Sequence, residues 1–315
     1  FAFVTDDTMP DTFLHKGHLN VVIKKAIQAG INIENAIYCA TFTPARRMNL
    51  HDRGVIAPGK KADFLLIDNL KNLHITQTFI DGKEVYNINS EAKYIPTDYK
   101  FPEEFYQSVR VEKINEDIFQ IPVNNKENEV NCRIIKVIDG STRTTEIIEK
   151  LNVKNGYLDW ENSLYMLITV FERHGKNGNI GFGLVTGDCI KNGAIATTYA
   201  HDHHNLMVIG KNIKDMTKAI NRIIELQGGI CCVENEEILA EVPLPVAGIL
   251  SEKTVQELRK EVEILREKMS QLGYKHYNPI MSLCTLSLPV SPALKITDKG
   301  LIDVNQGKIV NLIVD

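Results

Sequence analysis

The chain is 315 residues long, 43% hydrophobic and 24% charged, with a formal net charge of -4. Such a length holds two domains, each able to bury a core, and such a composition excludes a disordered, fibrous or membrane-embedded chain. The mildly acidic balance supplies no basic face, so nucleic acid and membrane surfaces are excluded as main partners and small molecules are expected.

Six cysteines (Cys39, Cys132, Cys189, Cys231, Cys232 and Cys284) contain no C-x-x-C pair, which argues against a zinc ribbon or a disulfide framework and for a reducing cytoplasm. No run approaches the roughly 18 apolar residues that span a bilayer, and no basic leader with a cleavage site is recognisable. Because the chain opens inside an apolar run without an initiator Met, it reads as the later part of a longer gene product.

The opening stretch FAFVTDDTMPDTF places Asp6 and Asp7 after Phe1, Ala2, Phe3 and Val4, a run that reads as a buried strand. Over residues 18–29, Leu19, Val22, Ile23, Ala26 and Ile27 fall on one helical face, with Gly30 placed to end it. A second helix is predicted over 34–40. A third, short helix starts at Thr43 and Pro44, where Thr caps and Pro suits the first position. The texture then turns to short β-rich runs separated by Pro58 and Gly59 and by Asp81 and Gly82, the latter a hairpin signal. Within APGKKAD, Gly59 reads as a turn and Asp63 as a capping or bridging acid. From 89 to 116 the sequence is polar and dotted with proline, which places a linker there.

Beyond the linker VNCRIIKVID, SLYMLITVFER, GAIATTYAH, NLMVIG and GICCVEN read as strands, several apolar enough for burial on both faces. Two helices interrupt them. The first spans 213–226, with Asn212 as its cap, Asp215 in its first turn and Gly228 and Gly229 as its stop. The second follows Ser251 and carries Val255, Leu258, Val262, Leu265, Met269 and Leu272 as a core-facing stripe ending at Gly273. Gly181, Gly183 and Gly187 lack the Lys and Ser/Thr of a phosphate loop and read as tight turns. The order of elements predicts a mixed chain, α/β and α+β.

Two adjacent carboxylates after a strand sit where loops converge on a site, although an isolated pair of acids also serves in turns and helix caps. Such carboxylates repel and raise one pKa unless a cation holds them. The segment AHDHHN places His201, Asp202, His203, His204 and Asn205 in succession. On a strand, His201 and His203 would share one face and Asp202 and His204 the other, so either pair can converge on a metal or ligand. An exposed strand-to-loop junction is the alternative. Glu172, Arg173 and His174 follow an apolar strand and fit either base or anion recognition or buried ion pairs.

FVTDD resembles the last barrel strand of the adenine deaminases of the amidohydrolase superfamily, and GVIAPGKKADFLLID resembles the superfamily's β-sandwich segment. FERHGKNGNIGFGLVTG, GAIATTYAHDHHNLMVIG, EVPLPVAGILS and LCTLSLPVSPALKITDKGLIDV resemble that family's own carboxy-terminal domain. The resemblance covers nearly the whole chain. It implies hydrolytic deamination of adenine to hypoxanthine and ammonia in purine salvage, in a soluble cytoplasmic homo-oligomer. It also implies an architecture: the end of a (β/α)8 metal-dependent hydrolase barrel at 1–50, a β-sandwich piece at 51–88, the linker at 89–116 and an α/β-layered carboxy-terminal domain at 117–315.

By position in the motif, Asp6 is the expected metal ligand and proton carrier and Asp7 the residue that orients the base. The resemblance carries over His201, Asp202, His204 and Asn205 as substrate-binding residues that close the barrel mouth or orient ligand, and leaves His203 unassigned. It implies a divalent metal, manganese or iron more than zinc. The family's H-x-H pair, Glu and further His ligands come from strands ahead of the position of Phe1, so the catalytic centre is expected to be incomplete here and the chain inactive alone. Competing readings are a non-catalytic ligand-binding or subunit-assembly module, and another amidohydrolase acting on a purine or cyclic amide.

Overall fold

A computed structural model describes residues 1–70, 72–90, 100–123 and 128–314. It divides into two compact units, Phe1–Tyr99 and Lys100–Asp315. Of the expected linker at 89–116, residues 91–99 lie outside the described residues, and 100–116 belong to the second unit, where Glu103–Tyr106 forms a 3-10 turn.

The first unit opens with four helices, α1 (Pro10–Lys16), α2 (Leu19–Gln28), α3 (Ile33–Ala40) and α4 (Phe42–Arg47). The α2 helix ends where the apolar stripe does, before Gly30 at φ 97. The side chain of Asn32 caps α3 by accepting from the amides of Glu34 and Asn35. Thr41 both ends α3 and starts α4. The fourth helix therefore begins two residues ahead of the predicted start, and Pro44 is tolerated in its first turn because that amide has no intrahelical acceptor.

Residues 1–4 differ from expectation. They form no strand among the described residues, and Phe1 is 80% and Val4 70% exposed. A strand is held by a ladder, whereas the bond from the Phe3 amide to the Cys39 carbonyl, at 2.9 Å, belongs to no ladder.

After the helices, β1 (Phe64–Asn69), β2 (His74–Ile80) and β3 (Lys83–Asn87) form an antiparallel three-stranded sheet. Asp81 and Gly82 turn the predicted hairpin with φ of 48° and 74°, the positive pair that a type I′ turn requires. Asp63 is a bridging acid, accepting the Asp81 amide at 2.8 Å. Phe64 and Phe79, paired across β1 and β2, stack with ring centroids 4.5 Å apart.

The second unit runs β4 (Glu129–Val137), β5 (Thr144–Lys154), β6 (Tyr157–Leu158), β7 (Met166–Phe171), β8 (Ile180–Gly187), β9 (Ala194–Thr197), β10 (Leu206–Gly210), α5 (Ile213–Leu226), β11 (Gly229–Glu234) and β12 (Glu237–Pro243). It continues through α6 (Val255–Gln271), α7 (Pro279–Cys284), β13 (Leu294–Thr297), β14 (Gly300–Asp303), β15 (Lys308–Val310) and β16 (Ile313–Val314). The large sheet has the order β12-β11-β9-β10-β7-β8-β4-β5-β6, with β16 added on β4. Its pairs are antiparallel except β4 with β8. The five predicted strands are β4, β7, β9, β10 and β11. All six residues of β7 and all five of β10 are buried, the double-faced burial that their apolar runs implied.

On one face α5 packs Met216, Ala219, Ile220 and Ile223 against β9, β10 and β11, which bring Ala196, Val208 and Cys231 to the same core. Each fully buried aliphatic side chain there contributes roughly 1.5–3 kcal/mol. Its Asn212 cap is as predicted, and the helix stops with Gln227 in the left-handed region. α6 packs against β11 and β12 and starts with a capping box between Thr254 and Glu257. Val262, Leu265, Met269 and Leu272 of its stripe are buried, while Val255 is 42% exposed.

Gly181 and Gly183 lie inside β8 and not in turns, which corrects the sequence reading. A Cβ on Gly181 would sit 2.0 Å from the Thr297 carbonyl oxygen, and one on Gly183 within 3.2 Å of Ile168, Ile296 and Leu301. These glycines admit the small antiparallel sheet β13-β14-β15 onto the large one. Gly187 does turn, with φ 98°. Among the described residues no helix is long and apolar enough to cross a membrane.

Candidate functional site

In the first unit Asp6 and Asp7 are both exposed. Asp6 takes φ 54°, a left-handed conformation that Asp tolerates better than most residues. One oxygen of its carboxylate accepts the Asp7 amide at 2.8 Å, the short-range bond that lets an Asp hold such a turn. Among the described residues no group of three or more His, Cys, Asp or Glu side chains is placed to hold a metal ion. A catalytic metal takes about three protein ligands, so the donors present among the described residues do not fit one by themselves.

In the second unit residues 201–205 connect β9 to β10 as a turn, not as a strand. The expected alternation of faces is therefore overturned: the His204 amide donates to the Ala200 carbonyl at 2.7 Å, and His204 has φ 48°. Such a closed turn removes the period of two on which the pairing of His201 with His203 depended. The rings of Tyr199, His201 and His204 gather instead, with centroids 5.1 Å (Tyr199 to His201), 5.9 Å (Tyr199 to His204) and 5.7 Å (His201 to His204) apart.

The five residues have distinct surroundings. Asp202 is exposed, and His201, His203 and His204 are half-buried. His203 Nδ1 accepts the Asn205 amide at 2.9 Å, which leaves Nε2–H to donate to the Ser287 carbonyl at 3.2 Å. The neutral tautomer is thereby set. His204 Nδ1 accepts the Ala200 amide at 3.3 Å, so its proton also lies on Nε2. Burial holds both His203 and His204 below the usual imidazole range; for His204 the electrostatic influence of His201 and Arg173 pushes the same way, whereas at His203 the Asp298 carboxylate opposes it.

Asn205 is only 4% exposed, and its side chain is engaged within the protein. Its Oδ1 accepts the Arg173 amide at 3.3 Å, and its Nδ2 donates to Asp298 Oδ1 at 3.2 Å. Any part it plays in ligand binding is thus indirect.

Arg173, 2% exposed, is committed to internal acceptors. Its guanidinium donates to the Ser108 carbonyl at 2.8 Å and hydroxyl at 2.9 Å, to the Ala247 carbonyl at 2.9 Å and to the His204 carbonyl. Burial lowers its pKa to about 10, with Glu172 opposing. Burial by itself would raise the Glu172 carboxyl, yet the backbone amides of Asn177, Lys176, His174 and Gly178 bring it below the usual range. The segment ERHG therefore makes neither an anion site nor a simple ion pair. It is a scaffold whose arginine holds the turn at 201–205, aided by His174, whose ring nitrogen lies 3.1 Å from the His203 carbonyl.

Sequence reasoning missed Ser108, Ser287 and Asp298, which meet this cluster only through the fold. A cleft of about 390 Å³ lies nearby in the chain's connectivity, lined by Arg110, Lys113, Phe171, Glu172 and Asn179 among others, but by none of residues 201–205.

Residues 141–308 match the family described as the adenine deaminase C-terminal domain, and residues 1–85 match the amidohydrolase family. A relative from Clostridium perfringens named adenine deaminase is 51% identical over 315 residues, 99% of this chain and 55% of the relative. One from Shouchella clausii named adenine deaminase 2 is 49% identical over 100% of this chain and 55% of its own length. A third, the adenine deaminase of Lactobacillus delbrueckii subsp. bulgaricus, is 43% identical over 96% of this chain and 53% of its own length. The chain spans about half the length of the curated relatives it matches.

Proposed function

The chain belongs to the adenine deaminase C-terminal domain family, and from that premise we propose that it serves in the hydrolysis of adenine to hypoxanthine and ammonia. The observation that carries this reading is identity of 49–51% to proteins named adenine deaminase across 99–100% of its residues. In this reaction water adds at C6 of the purine and the exocyclic amine leaves as ammonia, so the site must move one proton from the water to the amine.

Asp6 is our assignment for the proton carrier and metal ligand. Its carboxylate is exposed and so open to a metal ion and to substrate, which supports the assignment. Asp7 is assigned to orient the base. In the second unit His204, as an Nε2–H donor, together with His201 and the exposed Asp202, is assigned to bind substrate, with Asn205 holding them. Such donors and acceptors match the edge of a purine.

The match to the amidohydrolase family implies a divalent metal, and manganese or iron is our choice over zinc. Residues 1–50 are assigned to the end of a (β/α)8 barrel, 51–88 to a β-sandwich piece and 117–315 to the carboxy-terminal domain. A cytoplasmic homo-oligomer in purine salvage completes the proposal.

The test is ammonia release from adenine with added manganese, by this 315-residue chain and by a form extended to the length of its relatives. Turnover by the extended form alone supports the assignment. Turnover by neither favours a non-catalytic module. Turnover by the short chain would show that ligands beyond its own residues are not required.

A further inference from the structure

Two side chains in the second unit, Asn179 just before the strand that follows the Glu172 loop and Asn205 of the turn at 201–205, meet at one residue that the proposed chemistry does not use. That residue is Asp298, in the turn between β13 and β14. One of its oxygens accepts Asn205 Nδ2 at 3.2 Å and the other accepts Asn179 Nδ2 at 3.3 Å. Asn179 in turn receives the Glu172 amide on its carbonyl at 2.9 Å.

We propose that Asp298 is the positioning residue for the turn at 201–205, acting through Asn205 to aim His203 and His204. The inference rests on the reading of that turn as part of the substrate site.

The amide of Asn205 has two possible orientations, and its surroundings permit one. Its Oδ1 faces the Arg173 backbone N–H and its Nδ2 faces a carboxylate; the flipped amide would set donor against donor and acceptor against acceptor, at a site only 4% exposed. With the side chain held, the Asn205 backbone N–H is aimed at His203 Nδ1, and the imidazole is left with Nε2–H for Ser287. Ser287 closes the arrangement by donating from its hydroxyl to the His201 carbonyl at 3.3 Å. Thus one carboxylate from a different sheet fixes the side-chain amide of a buried residue, and the backbone N–H of that same residue sets the tautomer of His203, next to His204.

The chemistry of Asp298 is specific in a way that a packing role is not, because only an acceptor at both oxygens satisfies two amide NH2 groups. D298N places an NH2 group against one of them. The swap D298N with N205D restores every bond: the amide at 298 accepts from Asn179 and donates to the carboxylate at 205, which still accepts from Arg173.

The experiment compares the protein, D298N and the swap in the extended form, reading kcat/KM for adenine and the His203 ring tautomer by side-chain nitrogen NMR. D298N is expected to lose on the order of 10²-fold in kcat/KM, the scale of an ångström-level misplacement. His203 should lose its fixed Nε2–H tautomer, and the swap should recover most of both. Unchanged kcat/KM and an unchanged His203 tautomer in D298N overturn the proposal. So does a swap no better than the single variant. Should D298N fail to fold, a folded and active swap supports it and an unfolded swap overturns it. If the unsubstituted protein releases no ammonia, it is the deaminase reading that fails, and the His203 tautomer alone then decides the role of Asp298.

Discussion

His203 Nδ1 accepts the Asn205 backbone N–H at 2.9 Å, so that imidazole carries its proton on Nε2 and cannot take a second without setting N–H against N–H. Two half-buried histidines of the same turn, His203 and His204, are held neutral by burial in the folded state.

The pH dependence of stability follows from this. Their folded pKa values lie below the unfolded value near 6.5. Above that value both states are neutral and no proton separates them. As pH falls below it, the unfolded chain takes up protons first, so stability is lost until the folded pKa is passed. Urea unfolding between pH 7 and pH 5 should show this loss, and H203N, which keeps an acceptor for the Asn205 amide but does not titrate, should show a smaller slope. An equal slope in H203N would place the acid sensitivity elsewhere; Asp298, His174 and Asp202 are the other charged groups acting on His203.

Arg173 ties three separate segments by donating to Ser108, Ala247 and His204. R173M removes the donors and leaves buried carbonyls without partners, each such loss costing about 1–3 kcal/mol. The expected destabilisation is about 3 kcal/mol or more in urea unfolding. R173K should recover only part, because one ammonium cannot span the fork of acceptors that a guanidinium meets.

Gly181 is required by close approach and not by backbone conformation. A methyl there would fall 2.0 Å from the Thr297 carbonyl, so G181A must push β13 and β14 off β8, at a cost of about 3 kcal/mol, the upper range for overpacking. Gly59 is the contrast: at φ 78° with nothing within 4 Å of a Cβ, its alanine variant should cost only about 1–2 kcal/mol. Thermal unfolding of the two variants side by side separates the two mechanisms.

What could be read from the sequence, and what could not, follows the same division between local and distant causes. The α5 helix announced itself through Asn212, Asp215 and its terminal glycines, and the hairpin through Asp81 and Gly82, since caps and turns are local chemistry. β8 was hidden because its glycines answer to Thr297, Ile296 and Leu301, more than a hundred residues along the chain. β5, with a half-exposed and charged pattern, lacked the apolar run that marked its neighbours. The turn at 201–205 attracted notice as a histidine cluster, yet its arrangement depends on Arg173, Ser287 and Asp298, the last 93 residues from Asn205. No period of two or of 3.6 encodes such a contact. For the same reason the acids at the start were visible as a pair, while the lack of a three-donor group around them among the described residues was not.

Lys295, on β13, is the clearest cost that the fold carries. It is 1% exposed, and its ammonium donates to the Thr142 carbonyl at 2.6 Å and the Thr285 carbonyl at 2.9 Å, with no carboxylate partner among the described residues. Burial pushes its pKa down to about 8, below an unfolded value near 10.4. Below about pH 8 the group is charged in both states, and the folded state bears the desolvation cost in full. Between about 8 and 10.4 the unfolded chain holds the extra proton, so this group makes stability rise with pH across that window. K295M should abolish that rise. At pH 7 it should change stability little in net terms, because relief of the buried charge is set against two carbonyls left unsatisfied at about 1–3 kcal/mol each. Denaturant midpoints at pH 7, 8.5 and 10 for the two proteins decide it: parallel curves would mean that Lys295 keeps its ordinary pKa, and a midpoint that rises toward pH 10 in the unsubstituted protein relative to K295M confirms a lysine whose pKa the fold lowers.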